Sequence, residues 1–375
     1  MIGAEAHRSL IDRVRSRRNS YVADPRYRAW AASSPLTRWV ARRQARKLFD
    51  LAAGFVYSQV LAACVELRLF DRLRDGPRDR AHLAASTGVP GETLRSLLDA
   101  AVALDLLRAE PENRYALGSL GAAMIDNPAV TAMVEHHAVL YLDLADPVAL
   151  LRSPRGSAGL AGYWPYAGAA DPAAIPPEKV SAYTRLMASS QPLVTEDVLD
   201  AVGIDRFRRL MDLGGGDGTF ALAAARRSPA LEVTVVDLPA VAERARARFE
   251  AAGLGARGRA VGADFRREPL PAHADLATLV RVLHDHDDDD VRALLANLHA
   301  ALAPGATVAV AEPMAGTPGA EPVGAYFALY LLAMGRGRPR SAAEIVRLLA
   351  EAGFRDARAV GTRMPLQTGL VLARR

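Results

Sequence analysis

The pattern of apolar and polar positions changes between the two halves of this chain of 375 residues. In the second half, short apolar runs alternate with longer stretches in which apolar residues recur every three or four positions. Short apolar runs bounded by glycine or charged residues indicate buried strands, whereas the longer spacing indicates helices. The predicted strands are Arg208–Leu213, Glu232–Leu238, Arg259–Ala263, Leu276–Leu283 and Thr307–Glu312. The predicted helices among and after them are Phe220–Arg227, Val241–Ala252, Asp290–Leu302 and Ala342–Gly353.

This alternation of strands and helices predicts an α/β domain built on a mostly parallel, Rossmann-like sheet. Two further strand-like runs follow near the end of the chain, Ala357–Gly361 and Gly369–Ala373. Their short separation predicts a terminal antiparallel hairpin. We therefore expect residues 201–375 to form one domain.

The first half of the chain has a different pattern, in which helices dominate. Residues 51–120 contain three predicted helices, Phe55–Leu73, Arg80–Thr87 and Gly91–Leu107, followed by a hairpin turn at residues 112–114. This order is typical of a winged-helix domain, and many such domains bind DNA. The helix that would read bases is dominated by leucine, alanine and aspartate, however, so a role in protein packing is favoured.

Residues 121–200 are predicted to be helical but irregular, because glycine and proline cluster between residues 154 and 177. A stretch of broken helix of this length suits a substrate lid or a pocket wall. The pattern thus divides the chain into four segments: an N-terminal arm (1–50), a winged-helix-like domain (51–120), a linker and lid region (121–200) and a sheet domain (201–375).

Charge distinguishes the arm from the rest of the chain. Residues 1–50 carry 12 basic and 4 acidic side chains, a net charge of +8, whereas the whole chain carries +5. The aromatic residues Tyr21, Tyr27, Trp30 and Trp39 lie between the arginines. One interpretation is a solvated arm that packs on a second copy of the chain; another is peripheral contact with an anionic membrane. Nucleic-acid binding is the least favoured interpretation.

Composition also limits the cellular setting. The single cysteine, Cys64, excludes an internal disulfide and a metal site made of several cysteines, and it fits a reducing compartment. The start of the chain has no signal-peptide pattern. The best apolar run, residues 55–65, is too short to span a bilayer and contains two polar residues. We therefore expect a cytoplasmic location.

A glycine-rich loop connects the first predicted strand of the sheet domain to the next helix. It spans residues 212–218 and reads DLGGGDG. Glycine lets the backbone approach a ligand where a Cβ would collide. The carboxylates of Asp212 and Asp217 would oppose the pyrophosphate of a dinucleotide and favour a cationic ligand such as S-adenosylmethionine. An NAD-dependent oxidoreductase is disfavoured for the same reason.

Acidic residues also end the second and third predicted strands. Asp237 follows Gly214 by about 20 residues, the spacing at which a carboxylate reaches a ribose diol. The alternative is that Asp237 only caps the helix that follows. Asp264 and Phe265 end the third strand, where a carboxylate and a ring can contact adenine. Because carboxyl ends of parallel strands meet at one edge, the sequence predicts a nucleoside site there.

The fourth predicted strand ends in residues 281–286, which read RVLHDH. We expect His284 at the crevice, although a purely structural role for it stays open. Glu312 ends the neighbouring strand, so it is expected to fix the tautomer of His284 and leave one ring nitrogen to accept a proton. The acidic run 287–290 is expected to supply helix caps and first-turn charges. A metal site at the histidines is disfavoured.

Together these motifs resemble the family of S-adenosylmethionine-dependent O-methyltransferases that includes plant caffeate and isoflavone enzymes and acetylserotonin methyltransferase. The resemblance covers about residues 50–375. It implies a class I methyltransferase fold, a winged-helix-like domain that makes an intertwined homodimer, and S-adenosylmethionine as cosubstrate without a metal. The implied cofactor residues are Met187, Gln191, Asp212, Gly214, Gly216, Gly218, Asp237, Leu238, Asp264, Phe265 and Arg281. The implied catalytic residues are His284, Asp285 and Glu312.

Two positions depart from the family pattern. His286 stands where the family usually has a tryptophan, which removes the ring expected to stack on adenine. Pro339 stands near the second supporting glutamate of the plant enzymes, within residues 337–341 (GRPRS). The machinery that tunes a base for a phenol is therefore incomplete.

Within the family, the chain most resembles the carotenoid branch, whose members methylate the tertiary 1-hydroxyl of acyclic carotenoids. The resembling stretches are Ala45–Leu73, Ala311–Gly319 and Tyr326–Ser341. The likeness implies carotenoid biosynthesis, a lipophilic substrate and a place on or near a photosynthetic inner membrane. A bacteriochlorophyllide ring carbon and a phenolic or polyketide hydroxyl are the alternative acceptors. The expected pocket residues are Tyr326, Phe327, Tyr330 and Met334, on an apolar helix that could equally be core.

The implied reaction is an SN2 methyl transfer with His284 as proton acceptor. Because a tertiary alcohol is a weak acid, we expect the proton to leave during or after methyl transfer. A separate hypothesis is a methyltransferase-like regulator that binds DNA and has lost catalysis. The presence of Asp237, His284 and Glu312 argues against it.

Overall fold

The computed structural model describes residues 2–163, 186–365 and 367–375, with side chains from residue 12 onward except at residue 193. The chain divides into two compact units, Met1–Ile125 and Asp126–Arg375. The predicted lid region falls partly on residues 164–185, which lie outside the described residues.

The first unit consists of helices and a small antiparallel sheet. Its elements are α1 (Ile2–Ala23), α2 (Pro25–Ser33), α3 (Arg38–Glu66), α4 (Leu69–Arg72), β1 (Arg78–Asp79), α5 (Arg80–Thr87), α6 (Gly91–Ala103), β2 (Leu107–Glu110), β3 (Arg114–Leu117) and α7 (Ser119–Ala122). The strands pair in the order β1-β3-β2. Glu112 and Asn113 turn the chain between β2 and β3 with φ angles of +62° and +56°. The predicted order of helices and wing is confirmed.

Helix α3 is longer than the sequence pattern predicted. It begins at Arg38 rather than at Phe55, and it crosses the predicted segment boundary at residue 50. Basic residues dominate its first part, so the apolar spacing that marks a helix is weak there. Arginine, alanine, glutamine and leucine are nevertheless strong helix formers, and residues 38–53 contain neither glycine nor proline.

The apolar stripe of α3 is exposed within this chain. Leu48, Leu51 and Phe55, spaced three and four residues apart on one face, are 69%, 81% and 72% exposed. Among the described helices, α3 is also the one long and apolar enough, by length and composition alone, to cross a bilayer. The sequence reading missed this property because polar residues interrupt the apolar run. An exposed stripe of this kind marks an interaction surface.

The second unit contains the sheet, preceded by α8 (Pro128–Asp143), α9 (Pro147–Arg152), α10 (Gly159–Tyr163) and α11 (Pro192–Val202). The elements that follow are β4 (Arg209–Leu213), α12 (Thr219–Arg227), β5 (Glu232–Asp237), α13 (Pro239–Ala251), β6 (Gly258–Gly262), β7 (Leu276–Val280), α14 (Asp288–Ala301), β8 (Thr307–Glu312), α15 (Glu321–Met334), α16 (Ala342–Glu351), β9 (Arg355–Val360) and β10 (Gly369–Arg374). Strand β10 runs antiparallel to β8 and β9, and the other neighbouring pairs are parallel. The predicted mostly parallel sheet with a terminal antiparallel hairpin is confirmed.

The strand order places a ligand crevice in the middle of the sheet. The order is β6-β5-β4-β7-β8-β10-β9, so the chain builds outward from β4 on one side and then from β7 on the other. Buried apolar clusters cover both faces of the strands. In open α/β sheets, ligands bind beyond the carboxyl ends of the strands at the point where the order reverses. That point lies between β4 and β7.

Strand β7 ends earlier than predicted, at Val280 rather than at Leu283. Arg281 takes a φ of +61°, and a short 3₁₀ turn follows it. The N–H groups of Val282 and Leu283 donate to the side chain of Glu312, at 2.9 and 2.7 Å, rather than to a neighbouring strand. A carboxylate therefore takes over the hydrogen bonds that would have continued the strand.

Candidate active site

The carboxyl ends of the parallel strands surround a cavity that is open to solvent. Its described lining includes nine side chains or glycines that the sequence assigned to the cofactor: Met187, Gln191, Gly214, Gly216, Asp237, Leu238, Asp264, Phe265 and Arg281. A concave, largely apolar wall with a few convergent polar groups is typical of a small-molecule site.

The glycine loop after β4 contributes bare backbone to the cavity. Gly214 and Gly216 have φ angles of +64° and +61°, a region that other residues rarely adopt. A Cβ added at Gly214 would lie 2.8 Å from the Val282 side chain, so the packing at this position leaves no room for a larger residue. A Cβ at Gly216 would meet no atom within 4 Å, because this residue faces open space. A ligand can therefore approach the backbone at Gly216.

Two predicted cofactor residues, Asp212 and Gly218, are not in the described lining. Asp212 is 1% exposed beneath the loop and accepts a hydrogen bond from a threonine of β7; burial raises its pKa to about 7. Gly218 precedes α12, and a Cβ there would lie 2.8 Å from the Phe249 ring. Asp217 does line the cavity but pairs with Arg248. One of the two loop carboxylates is therefore buried and the other is paired with an arginine, and their predicted effect on a phosphate stays a prediction.

Asp237, at the end of β5, ties the loop to the cavity wall. Its Oδ2 accepts a hydrogen bond from the Gly216 N–H at 2.8 Å, and its Oδ1 accepts one from the Leu238 N–H at 2.7 Å. Burial raises the pKa of Asp237 to about 6, although both hydrogen bonds oppose the shift. A carboxylate at this position can accept hydrogen bonds from the hydroxyls of a ribose.

Asp264 is held by an arginine that the sequence reading did not single out. The Arg266 guanidinium donates to both Asp264 carboxylate oxygens, at 2.9 Å each. Burial alone would raise the pKa of Asp264, but the hydrogen bonds from Arg266 lower it below its ordinary value. Both residues line the cavity, so a ligand there meets an ion pair rather than a free carboxylate.

Phe265 and His286 meet beside this ion pair. Their ring centroids are 5.8 Å apart and their planes are nearly perpendicular, at 88°. Burial, with the charge of Arg266, lowers the pKa of His286 to about 4, so its imidazole is neutral at physiological pH. A neutral imidazole therefore occupies the position where the resembling family has tryptophan.

Arg281 connects the end of β7 to helical residues 186–190. Its guanidinium donates to the Ser190 hydroxyl at 2.7 Å and lies 3.2 Å from the Met187 sulfur. Met187 and Gln191 thereby form one wall of the cavity, as the resemblance implied. The left-handed backbone of Arg281 aims its side chain at this helix.

The proposed proton acceptor lies at the next turn. Glu312 is 2% exposed, and besides the two N–H groups of the turn it binds Nδ1 of His284 through Oε2. The expected contact between these two residues is present. Because Nδ1 donates to the carboxylate, Nε2 is the nitrogen that accepts a proton in the neutral ring.

A second carboxylate faces that nitrogen. Oδ1 of Asp285 lies 3.2 Å from Nε2 of His284, and Asp285 also lines the cavity. Burial alone would lower the pKa of His284, but Asp285 and Glu312 together raise it above its ordinary value. The site therefore stabilises the imidazolium that proton acceptance would create. Among the described residues, no group of three histidine, cysteine, aspartate or glutamate side chains is placed to hold a metal ion.

Helix α15 passes beside the base. The ring of Phe327 meets that of His284 edge-on, with centroids 5.7 Å apart. Tyr326 is half-buried next to it, whereas Tyr330 and Met334 are buried in an apolar cluster with α8 and α10. None of these four predicted pocket residues is in the described lining of the cavity above.

The tyrosine hydroxyls of α15 are paired with histidines that the sequence reading missed. His137 Nε2 lies 2.7 Å from the Tyr326 hydroxyl, and His136 Nε2 lies 2.9 Å from the Tyr330 hydroxyl. Both histidines are on α8, far away in the chain, so no local signal could have linked them to the tyrosines. The two tyrosine hydroxyls of the wall therefore already have hydrogen-bond partners.

The acidic run at the start of α14 does more than the predicted capping. Asp287 is the N-cap residue, but its side chain makes no capping hydrogen bond and instead accepts one from the Gly337 N–H at 3.0 Å. Asp288 pairs with Arg338 and Arg340. These carboxylates attach the loop after α15 to the turn that carries His284.

Comparison with known proteins agrees with this geometry. The model of the O-methyltransferase domain matches residues 142–355, and that of the O-methyltransferase dimerisation domain matches residues 49–127. The chain is 46% identical over 334 residues to demethylspheroidene O-methyltransferase of Cereibacter sphaeroides, covering 88% of this chain and 87% of the relative. It is 37% identical to acetylserotonin O-methyltransferase of Mus musculus, covering 83% and 84% of the two chains.

A solved structure supports the cofactor assignment. The crystal structure of human N-acetylserotonin methyltransferase in complex with S-adenosylmethionine superimposes with a TM-score of 0.72 at 27% identity, over 88% of this chain and 97% of that one. The dimerisation domain indicates a homodimer. The chain therefore belongs to the S-adenosylmethionine-dependent O-methyltransferase family and uses S-adenosylmethionine as its methyl donor.

Proposed function

We propose that this enzyme methylates the tertiary 1-hydroxyl of an acyclic carotenoid. The observation that carries the proposal is the 46% identity, over 88% of the chain, to a relative named demethylspheroidene O-methyltransferase. A second relative with the same name, from Rhodobacter capsulatus, is 41% identical over 91% of the chain.

The cavity residues fit the methyl donor. Asp237 would accept hydrogen bonds from the ribose, and the Gly216 backbone leaves open space for close approach. Phe265 and the neutral His286 would face the adenine. When bound, S-adenosylmethionine supplies an electrophilic methyl group and leaves as S-adenosylhomocysteine. Alignment of oxygen, methyl carbon and sulfur contributes about 7–11 kcal/mol to such reactions.

His284 takes the proton in this mechanism. As the hydroxyl oxygen forms its bond to the methyl carbon, the carbon–sulfur bond breaks and the hydroxyl proton passes to Nε2 of His284. The imidazolium that results lies between Glu312 and Asp285. Since a tertiary alcohol is a weak acid, the proton moves during or after methyl transfer. In this mechanism the substrate hydroxyl takes the place of the Asp285 carboxylate at Nε2 of His284.

The wall formed by α8 and α15 suits a lipophilic acceptor. The hydroxyls of its two tyrosines, Tyr326 and Tyr330, are already paired with His137 and His136, so their rings are what they offer to a ligand. Phe327 extends this aromatic surface to His284. A hydrocarbon chain that binds here leaves the two tyrosine–histidine hydrogen bonds in place, whereas a polar substrate that binds through the same groups would have to replace them.

The test of the substrate uses labelled S-adenosylmethionine with three acceptors: a 1-hydroxycarotenoid, a simple phenol and a bacteriochlorophyllide. We expect label in the carotenoid, at the ether carbon. If only the phenol or only the bacteriochlorophyllide is labelled, the proposed carotenoid substrate is wrong and the labelled class is the substrate.

We also propose that the arm, residues 1–50, attaches the enzyme to the cytoplasmic face of the membrane that holds the substrate. Tyr21, Tyr27 and Trp30 form a row of rings, with successive centroids 5.7 and 5.6 Å apart. Trp30 and Trp39 are 54% and 63% exposed. Nearly all of the arm precedes the dimerisation domain, which begins at residue 49. Exposed aromatic and arginine side chains together favour an anionic lipid surface.

Removing four arm charges is expected to weaken membrane binding. The variant Arg15→Gln/Arg17→Gln/Arg42→Gln/Arg43→Gln should partition at least about tenfold less onto phosphatidylglycerol vesicles, since each charge contributes about 1 kcal/mol near such a surface. Vesicle co-sedimentation measures this. The control removes four exposed arginines of the second unit: Arg152, Arg226, Arg267 and Arg358. Equal pelleting of both variants would show that the arm is not the attachment site.

Cofactor binding is expected to depend on pH through Asp237. Only the ionised carboxylate accepts hydrogen bonds from both ribose hydroxyls, so binding favours loss of the proton. Because the pKa of Asp237 is raised to about 6, the dissociation constant of S-adenosylmethionine should rise as the pH falls through that value. Below it, the rise approaches about tenfold per pH unit. Calorimetry between pH 5 and 8 measures it; if Asp237→Asn keeps the same slope, another group titrates.

A further inference from the structure

The loop between α15 and α16, residues 335–340, packs against the turn that carries His284. Gly337 has a φ of +72°, and a Cβ there would lie 2.0 Å from the His284 carbonyl oxygen. The same oxygen accepts a hydrogen bond of 2.9 Å from the Arg338 N–H. Because only glycine permits this approach, the loop lies directly on the backbone of the proton acceptor.

Arg340 is the buried side chain of this loop, at 2% exposure. Its guanidinium donates to the backbone carbonyls of Leu283 and His286, the latter at 2.8 Å. It also donates to one oxygen of Asp288, at 2.6 and 3.1 Å. The two carbonyls flank His284 and Asp285 in the chain. One planar fork therefore spans the whole catalytic turn.

The pairing explains why a charge is tolerated here. A buried guanidinium is costly unless its donors are used and its charge is balanced. Asp288 balances the charge of Arg340, and the two carbonyls use further donors. A lysine in the same place would be a single point charge without the fixed fork.

We infer that Arg340 is a positioning residue for methyl transfer: it sets the place of His284 by holding the carbonyls on both sides of it. The inference rests on the proposed role of His284 as proton acceptor. Glu312 holds the turn from one side, through the N–H groups before His284 and through Nδ1. Arg340 holds the turn through its carbonyls.

The consequence for the reaction is geometric. Without the hydrogen bonds from the Arg340 guanidinium, the turn that carries His284 can change its conformation. Nε2 of His284 then moves relative to the acceptor hydroxyl. A displacement of about 1 Å in such a site costs about a hundredfold in rate. The same relaxation separates His284 from Asp285 and Glu312, the carboxylates that raise its pKa. The pH dependence of turnover should therefore move together with the rate.

The experiment compares Arg340→Gln and Arg340→Lys with a matched control, Arg338→Gln. Arg338 lies in the same loop and pairs with the same Asp288, but its side chain is 40% exposed, and its contact with His284 is made by backbone. Turnover is measured on whichever of the three acceptors the enzyme methylates, per site that binds S-adenosylhomocysteine. Counting binding sites removes the contribution of unfolded protein.

We expect Arg340→Gln to lower kcat by about ten- to hundredfold, with KM for the methyl acceptor unchanged. The acid limb of the kcat profile should shift to lower pH, because His284 loses contact with its carboxylates. Arg340→Lys should fall between Arg340→Gln and the wild type, and Arg338→Gln should match the wild type.

An unchanged kcat and pH profile per binding site, with only a lower melting temperature, would overturn the inference and leave Arg340 as a purely structural residue. If Arg340→Gln does not fold, Arg340→Lys and Asp288→Asn give the same comparison. A wild-type kcat and a wild-type pH profile in these two variants would also overturn the inference. Failure of the base assignment itself is separate, since it would appear as normal turnover in a His284 variant whatever Arg340 does.

Discussion

Replacing His284 by alanine is expected to lower turnover by about two to four orders of magnitude, the usual contribution of a general base. The methyl acceptor would lose the Nε2 atom that takes its proton. The cofactor dissociation constant should stay close to that of the wild type, because His284 is not in the described lining of the cofactor cavity. Steady-state turnover and calorimetry with S-adenosylmethionine separate the two effects.

The pH profile supplies a second readout for this variant. In the wild type, kcat should rise with pH through a midpoint above the ordinary histidine value of 6.5, because only neutral His284 accepts a proton and its pKa is raised. The variant should lack this limb. Alanine at His82, which is exposed on α5, is the matched control and should leave both rate and profile unchanged. Normal product formation by His284→Ala would exclude His284 as the base.

The second large effect is expected for Glu312→Gln. The amide has the same shape, and its oxygen can still accept from the Val282 and Leu283 N–H groups. Its NH₂ group would then face Nδ1 of His284. A ring nitrogen that faces a donor must become an acceptor, which places the proton on Nε2. We expect turnover to fall by about 10²–10⁴-fold, as when an orienting carboxylate is lost in a serine protease.

Nitrogen-15 NMR of the histidine rings tests the cause as well as the size of this effect. It should show the proton moving from Nδ1 to Nε2 of His284 in the variant. The control is Glu268→Gln, which changes an exposed glutamate near the cofactor cavity that accepts from the Asp264 N–H. Full activity of Glu312→Gln would mean that the tautomer of His284 does not limit the reaction.

Much of the sheet domain follows from local patterns. Strand β8 has its predicted bounds, and β4 differs from prediction by one residue, because strands buried on both faces read as short, continuous apolar runs. The basic start of α3 has no such marker, so its beginning at Arg38 was missed. Strand β7 was predicted too long because its ending depends on Glu312, which lies 29 or 30 residues further along the chain from the N–H groups it binds.

The residues of the site also divide into those that local sequence patterns place correctly and those whose position depends on tertiary contacts. Gly214, Gly216 and Asp237 could be placed from spacing alone, since motifs at the ends of parallel strands meet at one edge. Asp212 lies outside the described lining because its side chain is buried beneath the loop, where Thr278 donates a hydrogen bond to it, and its predicted role toward the cofactor stays a prediction. Whether a carboxylate at a strand end reaches the cavity depends on its neighbours in the next strand.

Apolar periodicity, glycine turns and residues at strand ends determine the class of fold, the methyl donor and the pair His284 and Glu312. Each of these features depends on residues that lie within one secondary-structure element or at its end. The tertiary structure alone decides that Arg340 lies on the catalytic turn, 57 residues from the Leu283 carbonyl that it binds. It also decides that the tyrosines of α15 pair with the histidines of α8, 189 and 194 residues away. Such contacts arise from the packing of distant segments, which leaves no period or spacing in the chain.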